Sequence, residues 1–249
     1  RQVADPSVYV RFPLVDAPAE LADCDLLVWT TTPWTLPSNQ FAAVRADLDY
    51  VVAAVDDSQC ASRPRRVILA AALLDEVAAK AKKTLCVERT LRGARLVGLR
   101  YRPPFDYYHA KTDAKTGEPL EAKRGRLRSG GQEHVAWRVV AADFVTTDSG
   151  TGVVHQAPAF GEVDYELLLA EQARFVEGDG PELLNAVAPD GTFTADAPDY
   201  QGRWVKDCDR DIVRRLRDEG TLFHQEQYVH DYPFCWRAEE DPLIQYPRQ

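Results

Sequence analysis

Residues 150–165 read GTGVVHQAPAFGEVDY. Glycines on either side of Thr151 predict a tight turn, Val153 to Gln156 a short branched strand, and Ala157 to Gly161 a bend into a helix over about 163–174. Strand, loop and helix start in that order form a common site geometry, because the loop faces the unpaired amides of the helix. Working outward, Val8, Val10 and Phe12 alternate with Tyr9 and Arg11 at strand period, and Asp25 to Thr32 is an apolar strand running into threonines. Tyr50 to Val55, Arg66 to Leu69, Leu85 to Val87, Leu96 to Tyr101 and Val135 to Val145 are further strand candidates. Ala70 to Lys83, free of Gly and Pro, predicts a helix; Val205, Cys208, Ile212, Val213 and Leu216 recur at helical spacing ahead of a capping glycine, Gly220. Many strands with three interspersed helices predict a mixed α/β (α+β) fold, a barrel-like β-sheet core with peripheral helices. One domain over 1–249 is expected, with the polar, basic stretch 106–131 an insertion or loop within it.

Composition narrows the function classes. With 249 residues, 45% hydrophobic and 28% charged, the chain has material for a sizeable core, which excludes disorder, collagen and a coiled coil. No apolar run approaches the roughly 18 residues of a membrane-spanning helix, and Arg1-Gln2-Val3 opens no signal peptide, so a soluble protein without a membrane partner is expected. The absence of methionine suggests a segment that begins and ends inside a longer protein. Five widely spaced cysteines (Cys24, Cys60, Cys86, Cys208, Cys235), with no C-x-x-C, fit idle thiols of the reducing cytoplasm better than a disulfide framework or a zinc site. His224, His230 and Cys235 match no compact metal-ligand spacing, and no metal is expected. The net charge of −9 argues against an autonomous nucleic-acid binder, yet Lys80 to Arg128 carries 14 Lys and Arg against 5 Asp and Glu. Lys123, Arg124, Arg126 and Arg128 in that segment are candidates to lie against phosphate, or else part of a solvated charged loop.

Two motifs carry chemistry. In Thr30-Thr31-Thr32-Pro33-Trp34-Thr35-Leu36-Pro37-Ser38-Asn39 the prolines force Thr32 and Leu36 toward extended geometry, predicting a stiff, non-helical path that presents hydroxyls and backbone groups. Hydroxyls are poor bases but good donors, which suits positioning of ribose, a carbonyl oxygen or water; a plain strand end with a proline turn is the other reading. In the second motif, Asp164 falls in the first turn of the predicted helix. It either caps the helix amides or points a carboxylate at a substrate cation such as an α-ammonium, with His155 and Phe160 shaping the adjoining pocket. No cysteine sits where a nucleophile would, and no Walker loop, dinucleotide fingerprint or G-x-S-x-G elbow occurs.

Taken together, the threonine-rich PWTLPSN stretch, Leu96 to Tyr101, Gly150 to Tyr165, Ala197-Pro198-Asp199-Tyr200 with the 206–220 helix, and 230–246 resemble the editing domain (connective peptide 1) of class I isoleucyl-tRNA synthetases, of a cytosolic, eukaryotic-like type. Sister valyl and leucyl editing domains share the GTG turn and the aspartate, but a different threonine motif is expected in them. The resemblance implies hydrolysis of the ester in valyl-tRNA(Ile), and of valyl-adenylate as a further substrate. A synthetic pocket rejects a side chain smaller by one methylene only weakly, and the isoleucyl enzyme is the standard example of the second, hydrolytic sieve this requires. By the same resemblance Asp164 holds the α-ammonium and His155 bars isoleucine. Thr30, Thr31 and Thr32 surround the terminal adenosine and the hydrolytic water, so Thr31, Thr32 and Asp164 are the catalytic candidates. Trp34, Asn39, Ala157 and Phe160 complete the substrate-binding set. No cofactor is implied in this domain, ATP and Mg serving the parent enzyme's catalytic domain. The implied partners are the tRNA(Ile) 3′ end carrying valine and the rest of the synthetase. A tRNA-binding module inactive without its parent is the competing reading.

Overall fold

The computed structural model describes residues 2–56, 65–113 and 117–231. Its strands are β1 (Gln2–Val15), β2 (Cys24–Thr30), β3 (Phe41–Val44), β4 (Asp49–Asp56), β5 (Arg66–Ala70), β6 (Thr84–Arg92), β7 (Arg100–Tyr101), β8 (Arg124–Arg126), β9 (Gln132–His134), β10 (Arg138–Ala141), β11 (Val154–Gln156) and β12 (Leu222–Asp231). Helices α1 (Leu74–Ala81), α2 (Glu162–Arg174) and α3 (Asp209–Asp218) lie between them.

The long strand β1 serves three partners in turn: β12 along its first part, β2 from Val8 to Pro13, and β7 at Leu14 and Val15. Because β1 pairs with both β7 and β2, the order β1-β7-β10-β3-β11-β2 closes on itself as a six-stranded mixed barrel. Strand β12 extends the sheet beyond β1, and β5, β4 and β6 extend it beyond β2. The predicted barrel-like core with peripheral helices is therefore present. No helix among the described residues is long and apolar enough to cross a membrane.

Every residue of β3 is buried, because Ala42 and Val44 face the main core while Phe41 and Ala43 face a second cluster with Val140, Val145 and Leu168 of α2. Burial on both faces fixes β3, and with it the strand β11 that pairs with it at His155↔Ala42. The buried Arg138 of β10 is clasped by Glu171 of α2 and lies over the Phe41 ring at 5.6 Å, so α2 is held to the barrel by an ion pair as well as by apolar packing.

Several elements differ from the sequence expectation. Only Arg100–Tyr101 of the stretch 96–101 is strand, since Gly93–Arg95 is a 3-10 turn; the helix expected over 70–83 is a 3-10 turn followed by Leu74–Ala81. Trp137, at φ +49°, interrupts the run 135–145 and confines its strand to Arg138–Ala141. The stretch 106–131 is not a bare loop: it contributes β8, which pairs with β9 from Arg124↔His134 to Arg126↔Gln132. Gly152 of the GTG turn has φ +72°, and a Cβ there would lie 2.4 Å from that of Ala70, so the motif is a packing requirement. At Gly220, φ +70°, the amides of Gly220 and Thr221 reach the carbonyls of Arg217 and Leu216 at 3.0 and 2.9 Å, the expected glycine cap of α3. Of the cysteines, Cys24 and Cys208 are buried free thiols and Cys86 an exposed one; Cys60 and Cys235 lie outside the described residues, as does most of 230–246.

Candidate functional site

Thr30 ends β2, and the chain then enters a 3-10 helix over Pro33–Ser38 instead of the non-helical path expected. A proline fits at its first position, where the missing N–H would be unpaired in any case. Thr35 N–H reaches the Thr32 carbonyl and Asn39 N–H the Leu36 carbonyl, each at 3.0 Å. The amide of Trp34, which has no partner within the turn at the helix start, donates to a buried carboxylate, Asp209 Oδ1, at 3.1 Å. This turn lays the hydroxyls out as a ladder, with Thr30 Oγ1 and Thr32 Oγ1 3.2 Å apart and Thr32 Oγ1 and Thr35 Oγ1 3.4 Å apart. Thr35 Oγ1 donates to the Thr32 carbonyl at 2.8 Å. Thr31 and Thr32 are partly exposed, and Thr31 has no hydrogen-bond partner among the described residues.

The single parallel pairing of β11 with β2, Val154↔Trp29, brings His155 beside this ladder. His155 Nε2 lies 2.9 Å from Thr35 Oγ1, and its Nδ1 lies 2.8 Å from Asn39 Nδ2. Asn39 Nδ2 also donates to the Phe41 carbonyl at 3.1 Å, and a carbonyl only accepts, so the amide nitrogen faces His155. Nδ1 therefore accepts, the ring proton sits on Nε2, and that proton goes to Thr35. Burial holds His155 neutral, lowering its pKa to about 3. Both ring nitrogens are occupied, which leaves His155 as a shaped wall rather than a base.

Asp164 corrects one of the two sequence readings. Gly161 is the N-cap of α2 and the Asp164 carboxylate does not cap the helix amides; Oδ2 reaches back to the Ala157 N–H at 3.0 Å, closing the 157–161 loop on itself. Its other oxygen, Oδ1, has no hydrogen-bond partner among the described residues. Burial raises the carboxyl to about 6. The two motifs meet where the Phe160 ring packs edge-on to Trp34 at 4.9 Å. Thr30, Thr32, Trp34, Asn39, His155, Ala157, Phe160 and Asp164 are thus linked, Thr31 lying within the first loop. Thr35, Tyr101 and Asp209 also belong to the constellation, beyond the residues the sequence points to. Thr35 lies inside the quoted decapeptide, but nothing in the sequence connects Tyr101 or Asp209 with it.

Over 98% of its length the chain is 40% identical to the isoleucine–tRNA ligase of Bdellovibrio bacteriovorus and 38% identical to the cytoplasmic isoleucine–tRNA ligase of Caenorhabditis elegans. The chain belongs with the isoleucine–tRNA ligases. It spans about a fifth of the length of these relatives, 20% and 18%. Bacterial and nematode ligases match almost equally, so the likeness does not single out a eukaryotic type. No protein-family model matches the chain. Among solved structures, GlLeuRS-CP1 superposes with a TM-score of 0.58 at 12% identity, covering 89% of this chain and 100% of that one. The editing domain of the Plasmodium knowlesi (P. knowlesi) cytosolic leucyl-tRNA synthetase does so with a TM-score of 0.56 at 11% identity, covering 91% and 96%. The fold is that of a synthetase editing domain.

In this ligase segment the basic residues singled out along 123–128 are mostly engaged. Lys123 Nζ contacts Asp113 at 2.8 Å and Glu182 at 3.7 Å, and Arg126 Nε contacts Asp179 at 2.6 Å. Among the described residues, the Arg124 and Arg128 side chains bind only carbonyls, those of Gln132 at 2.9 Å and Phe175 at 2.8 Å, and meet no carboxylate on this exposed hairpin.

Proposed function

We propose that the chain is the hydrolytic editing segment of an isoleucine–tRNA ligase, cleaving the ester of valyl-tRNA(Ile) after transfer, with valyl-adenylate as a second substrate. The observation that carries this reading is that Asp164, with Oδ1 unpaired among the described residues, holds through Oδ2 the Ala157 amide two residues beyond the neutral, fully engaged His155, while Phe160 of the same loop packs on Trp34 of the threonine loop. An α-ammonium anchored at Asp164 gains a charge-assisted bond, and it favours the ionised carboxylate that burial alone opposes. His155, rigid and without a spare lone pair, limits side-chain length by shape, the sense in which isoleucine is excluded and valine admitted.

The chemical step is attack of water on the ester carbonyl, the released tRNA hydroxyl taking the proton. Thr30, Thr31 and Thr32 position that water and the terminal ribose, supplying geometry rather than basicity. Asp164, Thr31 and Thr32 are the residues on which rate depends, and no cofactor takes part in this segment; ATP and Mg act in the ligase's synthetic domain. The partners are the 3′ end of tRNA(Ile) and the remainder of the synthetase, in the cytoplasm, and the chain is a single domain. The 40% identity with isoleucine ligases, against 12% or less with the leucyl structures, favours the isoleucyl assignment over a sister enzyme. The test is deacylation of valyl-tRNA(Ile) by the full-length ligase with Asp164 intact or replaced by Ala. Loss of deacylation with aminoacylation retained supports the reading; equal deacylation refutes it.

A further inference from the structure

Tyr101 is 1% exposed, stacked on Phe12 at 5.2 Å, and donates its hydroxyl to Asn39 Oδ1 at 2.8 Å. It binds the amide oxygen of Asn39, while His155 is bound by the amide nitrogen. The hydrogen bonds from Tyr101 to Thr32 form one chain in which every proton has a single place. Tyr101 can give its proton only to the Asn39 carbonyl oxygen, since Asn39 Nδ2 is already directed at the Phe41 carbonyl and at His155 Nδ1. His155 must then carry its proton on Nε2 and give it to Thr35. Thr35, accepting there, gives its own proton to the Thr32 carbonyl, which closes the turn of the threonine loop. Along this chain the acceptor-only carbonyls of Phe41 and Thr32 pin the direction, and Trp137 Nε1 braces Asn39 by donating to its backbone carbonyl at 3.0 Å.

We infer that Tyr101 is a positioning residue of the editing site, acting through Asn39 to fix the Nε2–H tautomer of His155 and, through Thr35, the geometry of the Thr30–Thr32 loop. The effect on editing rests on the proposed function above; the effect on the tautomer does not. Without the Tyr101 hydroxyl, Asn39 Oδ1 loses its side-chain donor in a buried setting, and the Phe41 carbonyl alone is left to oppose rotation of the amide. A turned amide offers Oδ1 to Nδ1, moves the ring proton there, and leaves Nε2 as an acceptor. Thr35 then donates its hydroxyl to Nε2 instead of to Thr32, and the turn keeps only the Thr35 N–H bond to the Thr32 carbonyl.

The test is nitrogen-15 NMR of the imidazoles in the chain, the His155 signals being identified by their loss in His155→Gln, for wild type, Tyr101→Phe and, as a packing control, Phe12→Leu. Wild type is expected in the Nε2–H form; the Nδ1–H form would overturn the inference, whatever the variants do. Tyr101→Phe is expected to populate Nδ1–H, and Phe12→Leu to leave the tautomer unchanged. In the full-length ligase Tyr101→Phe should lower the ratio of valyl- to isoleucyl-tRNA(Ile) hydrolysis about three- to tenfold with aminoacylation unchanged, the scale of one buried hydrogen bond. A wild-type tautomer in Tyr101→Phe, or an altered tautomer with an unaltered ratio, refutes the positioning role while leaving the editing function standing. Absence of valyl-tRNA(Ile) hydrolysis in wild type refutes the function itself.

Discussion

Asp209, the first residue of α3, accepts the backbone N–H of Trp34, 175 positions away in sequence, at 3.1 Å. The threonine loop therefore hangs from α3 as well as from β2. Burial pushes Asp209 up to about 7, with Asp5 raising it further and Lys206 opposing. A carboxyl raised on folding keeps its proton in the folded chain after the unfolded chain, near 3.8, has lost it. The stability it contributes is full below about pH 4 and declines as pH climbs through about 7. Asp209→Asn keeps an oxygen for the Trp34 amide and does not titrate, so its thermal midpoint should fall less than that of wild type between pH 5 and 8. Parallel midpoints by circular dichroism would contradict this.

Asp164, raised to about 6, should impose a rising limb on the pH profile of kcat/KM for deacylation, since the free enzyme must ionise to take an ammonium. Asp164→Asn should lower kcat/KM about 10- to 100-fold, the scale of a hydrogen bond to a charged group, and abolish the limb. A profile flat from pH 5 to 7 in wild type would remove Asp164 from that role.

The exposed hairpin offers a narrower electrostatic test than the charge count suggested. Arg124→Glu and Arg128→Glu together should weaken tRNA binding and reduce the salt slope by about one for each phosphate that is no longer neutralised. Lys123 and Arg126, already paired with Asp113 and Asp179, should act mainly on hairpin stability when replaced. Filter binding across a salt series separates the pairs; a slope unchanged from wild type in the Arg124→Glu, Arg128→Glu variant would place no phosphate at the hairpin.

Gly152→Ala should destabilise the chain by roughly 2 kcal/mol or more, because φ +72° and an approach of 2.4 Å to Ala70 both oppose a Cβ. Urea unfolding measures it, and a change under about 0.5 kcal/mol, the range of an ordinary surface substitution, would show that the turn can relax.

The strands and helices that order the barrel were legible in alternation and helical spacing, and β2, β4, β5, α2 and α3 fall close to where periodicity puts them. Both motifs were legible too, through proline-bounded threonines and the strand-loop-helix around His155. The path of 33–38 was not: proline φ serves an extended chain and a 3-10 turn alike, and the carboxylate that caps the turn comes from α3. Nor was the barrel closure, which depends on β1 pairing both with β2, the next strand in sequence, and with the distant β7. Tyr101 reads as one more apolar strand residue until Asn39 is seen against its hydroxyl.

The most direct test of the double-sieve account is the ratio of valyl- to isoleucyl-tRNA(Ile) deacylation by the full-length ligase, wild type against His155→Ala. Wild type should release valine and spare isoleucine, and the variant, with the buried ring removed, should hydrolyse both. Isoleucyl-tRNA(Ile) still spared by His155→Ala would contradict the role of that ring as the wall of the site.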